Sequence, residues 1–152
     1  MTFLRTTGGD SVLAVFQTAG HAAECALDIQ KNFASESWPD GLELKVRVAM
    51  YAGEAKLRDG HYFGPALNRC ARLLAACHPG QILLTKATES MLAVEVPPDA
   101  ALQDLGVHYL KDLARPEQVF QLTDLKRRRW SLADRAQRGV REMDGTRDRL
   151  PL

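Results

Sequence analysis

The sequence has no long apolar run. None of its segments reaches the roughly 18 consecutive apolar residues that a membrane-spanning helix needs, and the first ten residues lack the apolar core and small-residue cleavage site of a signal peptide. It also has only three cysteines, Cys25, Cys70 and Cys77, an odd number at irregular spacing that argues against a disulfide framework. We therefore expect a cytoplasmic protein with free thiols and without a membrane span.

An excess of charge of one sign is also missing, because 20 Lys and Arg balance 19 Asp and Glu in 152 residues. The balance hides an asymmetry. Residues 1–125 carry 11 Lys and Arg against 15 Asp and Glu, a net charge of −4, and residues 126–152 carry 9 against 4, a net charge of +5. With 45% hydrophobic residues, the chain is predicted to form one globular domain over residues 1–124, followed by a basic tail over residues 125–152.

The basic tail contains the run Lys126-Arg127-Arg128-Arg129. Such a run is typical of a solvated or helical extension, and it is also compatible with a contact to a polyanion such as nucleic acid or an anionic membrane surface. Both interpretations stay open. The run carries no motif that reads a base sequence, so no specific nucleic-acid partner is predicted.

Hydrophobic periodicity predicts strands and helices that alternate along the chain. Period-two runs predict strands, and apolar residues that recur every three or four positions predict helices. Short hairpins between helices favour an α+β sandwich, one mixed sheet with helices on a face, over a uniformly parallel sheet. The predicted elements are strands at residues 4–7 and 12–16, a helix at 19–33, a strand at 42–50, a helix from 65 to about 77, a strand at 81–85, a helix at 86–93, and strands at 102–110 and 118–122.

Two polar residues stand out on the helix that follows Gly64-Pro65. Asn68 and Arg72 are four positions apart and therefore lie on the same face. Arginine offers five donors in a planar fork and stays charged, which suits it to the charge that builds on a phosphoryl group in a transition state. The alternative is a surface arginine paired with a nearby acid and an asparagine near a helix start. The side of the helix predicted to pack is formed by Leu67, Ala71 and Leu74.

Asp10 lies at the tip of the predicted opening hairpin, beside Gly8 and Gly9. The two glycines supply the positive φ angles of a tight turn and leave space around the carboxylate. A carboxylate in this position can approach a hard cation such as Mg²⁺. Turn aspartates are also common for a structural reason, since the side chain hydrogen-bonds its own backbone.

Several segments, taken in order, resemble the catalytic domain of class III nucleotide cyclases. The likeness runs roughly from residue 4 to residue 122 and is closest to bacterial cyclase domains. The segments that carry it are Gly9-Asp10-Ser11-Val12-Leu13-Ala14-Val15-Phe16, Val46-Arg47-Val48-Ala49-Met50-Tyr51-Ala52-Gly53-Glu54-Ala55, Tyr62-Phe63-Gly64-Pro65-Ala66-Leu67-Asn68-Arg69-Cys70-Ala71-Arg72, Gly80-Gln81-Ile82-Leu83-Leu84-Thr85, and Leu105 to Leu113 with the closing Glu117 to Leu122.

The resemblance implies a fold and a mechanism. Family members are ferredoxin-like sandwiches, with a mixed or antiparallel sheet and helices packed on it, that pair as homodimers or with a related cyclase domain. They convert ATP or GTP to a cyclic nucleotide and pyrophosphate with two Mg²⁺ or Mn²⁺ ions, by in-line attack of the ribose 3′-hydroxyl. Asp10 matches a metal-binding aspartate. Asn68 matches the asparagine that orients the ribose, and Arg72 matches the arginine that stabilises charge on the α-phosphate of the partner's substrate.

The departures from the family pattern concern the metal site and the base pocket. The family's first metal aspartate, with the first strand and helices, belongs upstream of residue 1, so this chain is expected to have half of the metal site and an uncovered sheet edge that favours dimerisation. Thr6 and His61 stand where members carry a lysine and an acid that read adenine. They are the candidate base contacts. The predicted activity is conversion of ATP to cyclic AMP in intracellular signalling, with little or no activity expected from this chain alone because half of the metal site is missing. The alternative is a catalytically silent regulatory or dimerisation module that binds nucleotide or a partner domain.

Two further alternatives follow from smaller patterns. Gly8-Gly9-Asp10 is similar to the hairpin of diguanylate cyclases, but Ser11 and Val12 depart from that motif. A zinc site is a second alternative, but the cysteines and histidines that could bind the ion include no closely spaced pair of cysteines. The available residues are His61, Cys70, Cys77 and His78.

Overall fold

The structure, a computed structural model, describes residues 3–7 and 10–126. Its helices and strands confirm the predicted α+β class. In chain order they are β1 (Phe3–Thr7), β2 (Ser11–Val15), α1 (Ala19–Ser35), a 3₁₀ turn (Pro39–Gly41), β3 (Val48–Met50), β4 (Lys56–Arg58), β5 (His61–Phe63), α2 (Pro65–Ala76), β6 (Ile82–Thr85), α3 (Lys86–Leu92), β7 (Ala100–His108) and β8 (Glu117–Asp124). Within the described residues, no helix combines the length and the apolar character needed to cross a membrane.

The sheet that organises the domain has four strands in the order β3-β6-β8-β7. β3 and β6 run parallel, whereas β8 is antiparallel to both of its neighbours, so the sheet is mixed as predicted. β1 and β2 form the expected hairpin, with Thr7 opposite Ser11. Gly8 and Gly9, on which the turn prediction rests, lie outside the described residues, as does the tail from residue 127 onward.

Helices cover both faces of the sheet, and not one face as the sequence pattern predicts. Residues of β6 alternate between the two sides because successive side chains of a strand point in opposite directions. One apolar cluster joins α1, α3 and the sheet, and consists of Ala23, Ala26, Leu27, Met50, Ile82, Leu84, Leu92, Phe120 and Leu122. The other joins α2 to the opposite face, and consists of Leu73, Ala76, Cys77, Leu83, Leu110 and Val119.

The prediction of a strand over residues 42–50 is wrong for its first six residues. Only Val48–Met50 forms a ladder, and Leu42 and Leu44 are 59% and 45% exposed. A strand needs a partner as well as alternation. β6 begins at Ile82, opposite Val48; the backbone N–H of Gly80 still donates to the Val46 carbonyl oxygen at 2.9 Å, but the chain turns there, with φ +88°, and no ladder continues. Of the described residues, none pairs with the other edge of β3.

Buried glutamines tie α1, β6 and β8 together. Gln81 Nε2 donates to Gln121 Oε1 at 3.0 Å, and the Gln81 Oε1 atom accepts from the backbone N–H of His78 at 2.8 Å. Gln30 on α1 donates through Nε2 to the Val46 carbonyl oxygen at 2.8 Å. All three side chains are buried. Because unpaired buried amides destabilise a fold, these contacts stabilise it chiefly by leaving none of the three amides unsatisfied.

Two cysteine thiols face the backbone of β3 from α2 and its C-terminal end. Cys70 Sγ lies 3.5 Å from the carbonyl oxygen of Ala49, and Cys77 Sγ lies 3.3 Å from that of Val48. Burial raises the pKa of Cys70 to about 11 and that of Cys77 to about 12, since the thiolate loses its hydration there. These thiols are therefore neutral packing groups at physiological pH.

The raised pKa of Cys77 predicts that the domain loses stability in alkali. An unfolded thiol ionises near pH 9, whereas the folded one stays protonated until about pH 12, so the unfolded state is favoured as pH rises through that window. We expect the free energy of unfolding to fall by about 1 kcal/mol per pH unit from this group. Urea denaturation from pH 8 to 11 measures it. Cys77→Ala, referenced to its own value at pH 8, should show a shallower slope; an unchanged slope would contradict the assignment.

Candidate active site

α2 is the helix that carries the predicted site, and its start is fixed by Gly64 and Pro65. Gly64 has φ +143°, and a Cβ atom there would lie 3.3 Å from the carbonyl oxygen of Glu54, so only glycine fits without strain. Pro65 takes the first helical position, where no backbone donor is needed. These two residues set where the helix begins and therefore the direction of its polar face.

The buried face of α2 agrees only in part with the predicted one. Leu73, Ala76 and Cys77 pack against the sheet, and the partly buried Leu74 packs against the same cluster, whereas Ala71 is exposed and Leu67 is only partly buried. α2 has two apolar stripes, and the sheet takes the stripe that includes the two cysteines. Asn68 and Arg72 remain together on the exposed side, as their spacing predicts.

A cavity of about 580 Å³ lies at the start of α2. Asn68 and Arg69 contribute polar side chains to it from the helix, and Asp112 contributes a carboxylate from the loop before β8. A mixture of apolar walls and a few convergent polar groups is typical of small-molecule sites. The complete lining is Tyr62, Phe63, Gly64, Pro65, Leu67, Asn68, Arg69, Asp112 and Leu113.

Arg72 forms an ion pair beside this cavity. Its Nη2 atom lies 2.8 Å from Oδ2 of Asp112, and the two side chains are 43% and 56% exposed. The pairing with a nearby acid is the one that the structural alternative for Arg72 predicts. It occupies one guanidinium nitrogen, so the pair is compatible with a second ligand on the same group.

Arg69 is held from two sides. Its Nη1 atom lies 3.1 Å from Oε1 of Glu117 and donates to the Tyr51 hydroxyl at 3.4 Å. The hydrogen bond that Arg69 donates to Tyr51, and the negative charge of Glu117, raise the pKa of Arg69 above its usual value, so the guanidinium remains charged. α2 therefore presents two cations, each paired with an acid that follows β7: Asp112 in the turn before β8 and Glu117 at the first residue of β8.

The other predicted site residues lie on different elements. Asp10 is exposed and directly precedes β2, and Thr6 pairs with Val12 in the β1–β2 ladder. His61 is exposed on β5, with its ring edge-on to Phe63 at 6.3 Å between centroids. Its neighbours Tyr62 and Phe63 line the cavity. The structure thus brings Asn68 and Arg72 together on one helix, and it places Asp10 and Thr6 on the separate hairpin.

The donor set for a metal ion is incomplete in the part of the chain that the structure describes. There, no three His, Cys, Asp or Glu side chains are grouped so that they could share an ion. Asp10 supplies one carboxylate, which does not by itself fit the two-ion site that the resemblance implies. The zinc alternative is not supported, because Cys70 and Cys77 face carbonyl oxygens of β3.

Sequence reasoning missed the acids that face α2. Asp112 and Glu117 follow β7 and meet Arg72 and Arg69 only in the folded chain. A local signal was present for Asp112, since aspartate tolerates the left-handed backbone region and this residue has φ +60° in the turn from Leu110 to Leu113. The preference of aspartate for such a turn does not indicate that its carboxylate pairs with Arg72.

Comparison with known proteins places these observations in a family. A scan against models of known protein families gives no match. The chain is 43% identical over 114 residues to an uncharacterized protein of Mycobacterium tuberculosis, in an alignment that covers 75% of this chain and 38% of that protein. The chain therefore spans about two fifths of the length of this curated relative.

Solved structures share the fold. The chain superimposes on an adenylate/guanylate cyclase/hydrolase from Silicibacter pomeroyi with a TM-score of 0.67 and 34% identity, covering 78% of this chain and 69% of that chain. It superimposes on adenylate cyclases of Trypanosoma brucei, described in their monomeric state, with a TM-score of 0.64 and 18% identity over 79% of this chain and 69% of that one. Because the Silicibacter structure combines the same fold with 34% identity over more than two thirds of its chain, the chain belongs to the class III adenylate/guanylate cyclase catalytic-domain family.

Proposed function

We propose that this chain converts ATP to cyclic AMP and pyrophosphate, and that the exposed face of α2 serves a nucleotide held by a second copy of the chain. The observation that carries the proposal is the shared face of Asn68 and Arg72 beside a cavity, in a chain of the cyclase family. ATP is the proposed substrate and GTP is the second nucleotide to be tested. Thr6 and His61 are the proposed base contacts.

Arg72 has the chemistry that the reaction needs at the α-phosphate. When the ribose 3′-hydroxyl attacks the α-phosphorus, negative charge builds on the phosphoryl oxygens, and the bond to pyrophosphate breaks. A fixed cation with several N–H donors stabilises that charge more strongly in the transition state than in the ground state. Arg72 is partly exposed, so its guanidinium is accessible to a nucleotide bound by another copy.

Asn68 is proposed to orient the ribose. Its neutral amide can donate to one hydroxyl and accept from another, which fixes the sugar without adding charge. The attacking 3′-hydroxyl and the α-phosphate belong to the same nucleotide. The reaction therefore depends on the orientation of the sugar, because the 3′-oxygen must lie in line with the leaving oxygen of pyrophosphate. The apolar side chains that line the neighbouring open cavity support contact with part of a ligand in this region.

A second copy of the chain, or a related cyclase domain, is the proposed protein partner. The β4–β5 hairpin, close to the site, exposes large apolar side chains: Leu57 is 61% and Phe63 is 53% exposed. Exposed apolar side chains of this size next to a functional surface support an interface there. The proposal places residues 1–124 in the catalytic domain and residues 125–152 in a basic tail outside it.

Asp10 is the proposed carboxylate for Mg²⁺ or Mn²⁺. Because the described residues do not assemble a group of metal ligands around it, no step of the proposed reaction is derived through an ion. The roles proposed for Asn68 and Arg72 concern the sugar and the phosphate, and they rest on the match to the family motif and on the shared exposed face of α2. They remain testable whichever groups complete the metal site.

The full chain, incubated with Mn²⁺ and ATP, should release cyclic AMP and pyrophosphate in equal amounts. Chromatography of the nucleotides, together with a pyrophosphate assay, measures both products, and GTP in place of ATP tests the base preference. Asn68→Ala should lower the rate of product formation, since the ribose is then less well aligned. Lys45→Ala, which removes an exposed cation paired with Glu43 on the extended segment before β3, is the matched control and should leave the rate unchanged.

Three other results would count against the proposal. Nucleotide binding without any cyclic product would favour the silent regulatory module. Release of AMP and pyrophosphate, with water as the nucleophile, would indicate a hydrolase. A rate that is the same in wild type and Asn68→Ala would remove the proposed role of the α2 face.

A further inference from the structure

The turn that faces Arg72 is anchored on both sides. Leu110, which is buried, and Leu113, which is partly buried, both pack into the cluster beneath α2. The backbone N–H of Leu113 donates to the carbonyl oxygen of Leu110 at 3.1 Å and closes the turn around Asp112. Asp112 therefore projects from a fixed support, although its own side chain is half exposed.

The carboxylate of Asp112 contacts one nitrogen of the Arg72 guanidinium. The 2.8 Å contact joins Oδ2 of Asp112 to Nη2 of Arg72. A guanidinium has two further nitrogens, which can donate to a phosphate while the first remains paired. An arginine side chain that reaches across a surface would otherwise populate several rotamers, and the pair selects one of them.

We propose that Asp112 is a positioning residue that orients the guanidinium of Arg72 toward the nucleotide. The inference rests on the proposed function and adds to it a residue that acts through Arg72. Since the pair is partly exposed, it is weak enough for the guanidinium to adjust when a phosphate arrives. Its effect therefore falls on alignment in the transition state and not on the stability of the domain.

Asp99 provides a matched control for this role. Its carboxylate lies 2.7 Å from Nζ of Lys126, its side chain is 56% exposed like that of Asp112, and both aspartates have positive φ, +67° at Asp99 and +60° at Asp112. It lies beside the far end of β8, away from the cavity at the start of α2. A loss that appears in Asp112→Asn and not in Asp99→Asn is therefore a loss of orientation at Arg72.

The test combines kinetics and nuclear magnetic resonance on the full chain. With Mn²⁺ and ATP, Asp112→Asn should lower kcat about fivefold while KM stays within about twofold, because orientation of Arg72 matters mainly in the transition state. Asp99→Asn should keep the wild-type kcat. The ¹⁵N guanidinium signals of Arg72, assigned by their loss in Arg72→Ala, should show slow rotation in wild type and in Asp99→Asn, and fast rotation in Asp112→Asn.

Each outcome decides one of the two proposals. Equal rotation rates of Arg72 in wild type and Asp112→Asn overturn the positioning role, as does a fall of kcat that is the same in Asp112→Asn and Asp99→Asn. A wild-type chain that makes no cyclic nucleotide overturns the proposed function and the kinetic role of Asp112. In that case the resonance measurement still decides whether Asp112 orients the guanidinium.

Discussion

Replacing Arg72 by alanine should abolish measurable cyclic nucleotide formation, with kcat lowered about 100- to 1,000-fold, which is the usual loss when one donor to a transition-state oxyanion is removed. Arg72 lies on the exposed face of α2 and contributes nothing to the buried cluster beneath it, so the fold should survive the change. KM should change far less than kcat, because the lost interaction is strongest in the transition state. Product formation with Mn²⁺ and ATP measures both.

Two companion variants show whether the loss is specific. Arg72→Lys keeps the charge but loses the planar fork, and we expect most of the activity to be lost with it. Lys126→Ala also removes a surface cation from an ion pair, at 2.7 Å from Asp99, but at the far end of β8. It should behave as wild type. An Arg72→Ala enzyme that retains a tenth or more of the wild-type kcat would disprove the assignment of Arg72.

Replacing Leu83 by alanine should give the largest loss of stability, about 2 to 5 kcal/mol in the free energy of unfolding. Leu83 is fully buried on β6, a central strand of the sheet, where it packs against Leu73 and Cys77 of the α2 region. The loss combines the apolar surface removed from the core with the cavity left behind. Urea denaturation at pH 7, followed by circular dichroism, measures it.

Val94→Ala is the matched control for Leu83→Ala. Val94 follows α3 and is 88% exposed, so its truncation should change the free energy of unfolding by less than about 0.5 kcal/mol. A loss below 1 kcal/mol in Leu83→Ala would mean that the cluster beneath α2 packs less tightly than the structure indicates. The position of α2, and with it the site, would then need another explanation.

Local signals predicted the elements that local interactions stabilise. The opening hairpin, α1 and α2 were all expected from apolar spacing and from glycine and proline, and the structure confirms them. Residues 42–47 were not predicted correctly, because alternation alone does not make a strand. Val48 has a ladder partner in Ile82, whereas Val46 accepts a backbone hydrogen bond from the N–H of Gly80 and the described chain forms no ladder before Val48. Pairing is a property of the fold, and it is not encoded within the segment.

The candidate site also combines features that the sequence predicts with features that only the folded chain determines. The shared face of Asn68 and Arg72 follows from the helical repeat, so it could be predicted from the sequence. The buried face of α2 could not, because two apolar stripes fit the same spacing and the sheet selects one. The contact of Arg72 with Asp112 also required the fold, since the two residues belong to α2 and to a turn well beyond it.

The bridge between Gln81 and Gln121 has a consequence for how the strands find each other. Gln121 and Val119 lie on the α2 side of β8, whereas Phe120 and Leu122 face α1 and α3. If β8 slipped by one residue against β6, the Gln121 amide would move among Ile82 and Leu84, and Phe120 would leave its cluster. An apolar pair at 81 and 121 would tolerate such a slip better. The two amides thus favour one register of β6 against β8, because only in that register do they hydrogen-bond each other on the α2 side of the sheet.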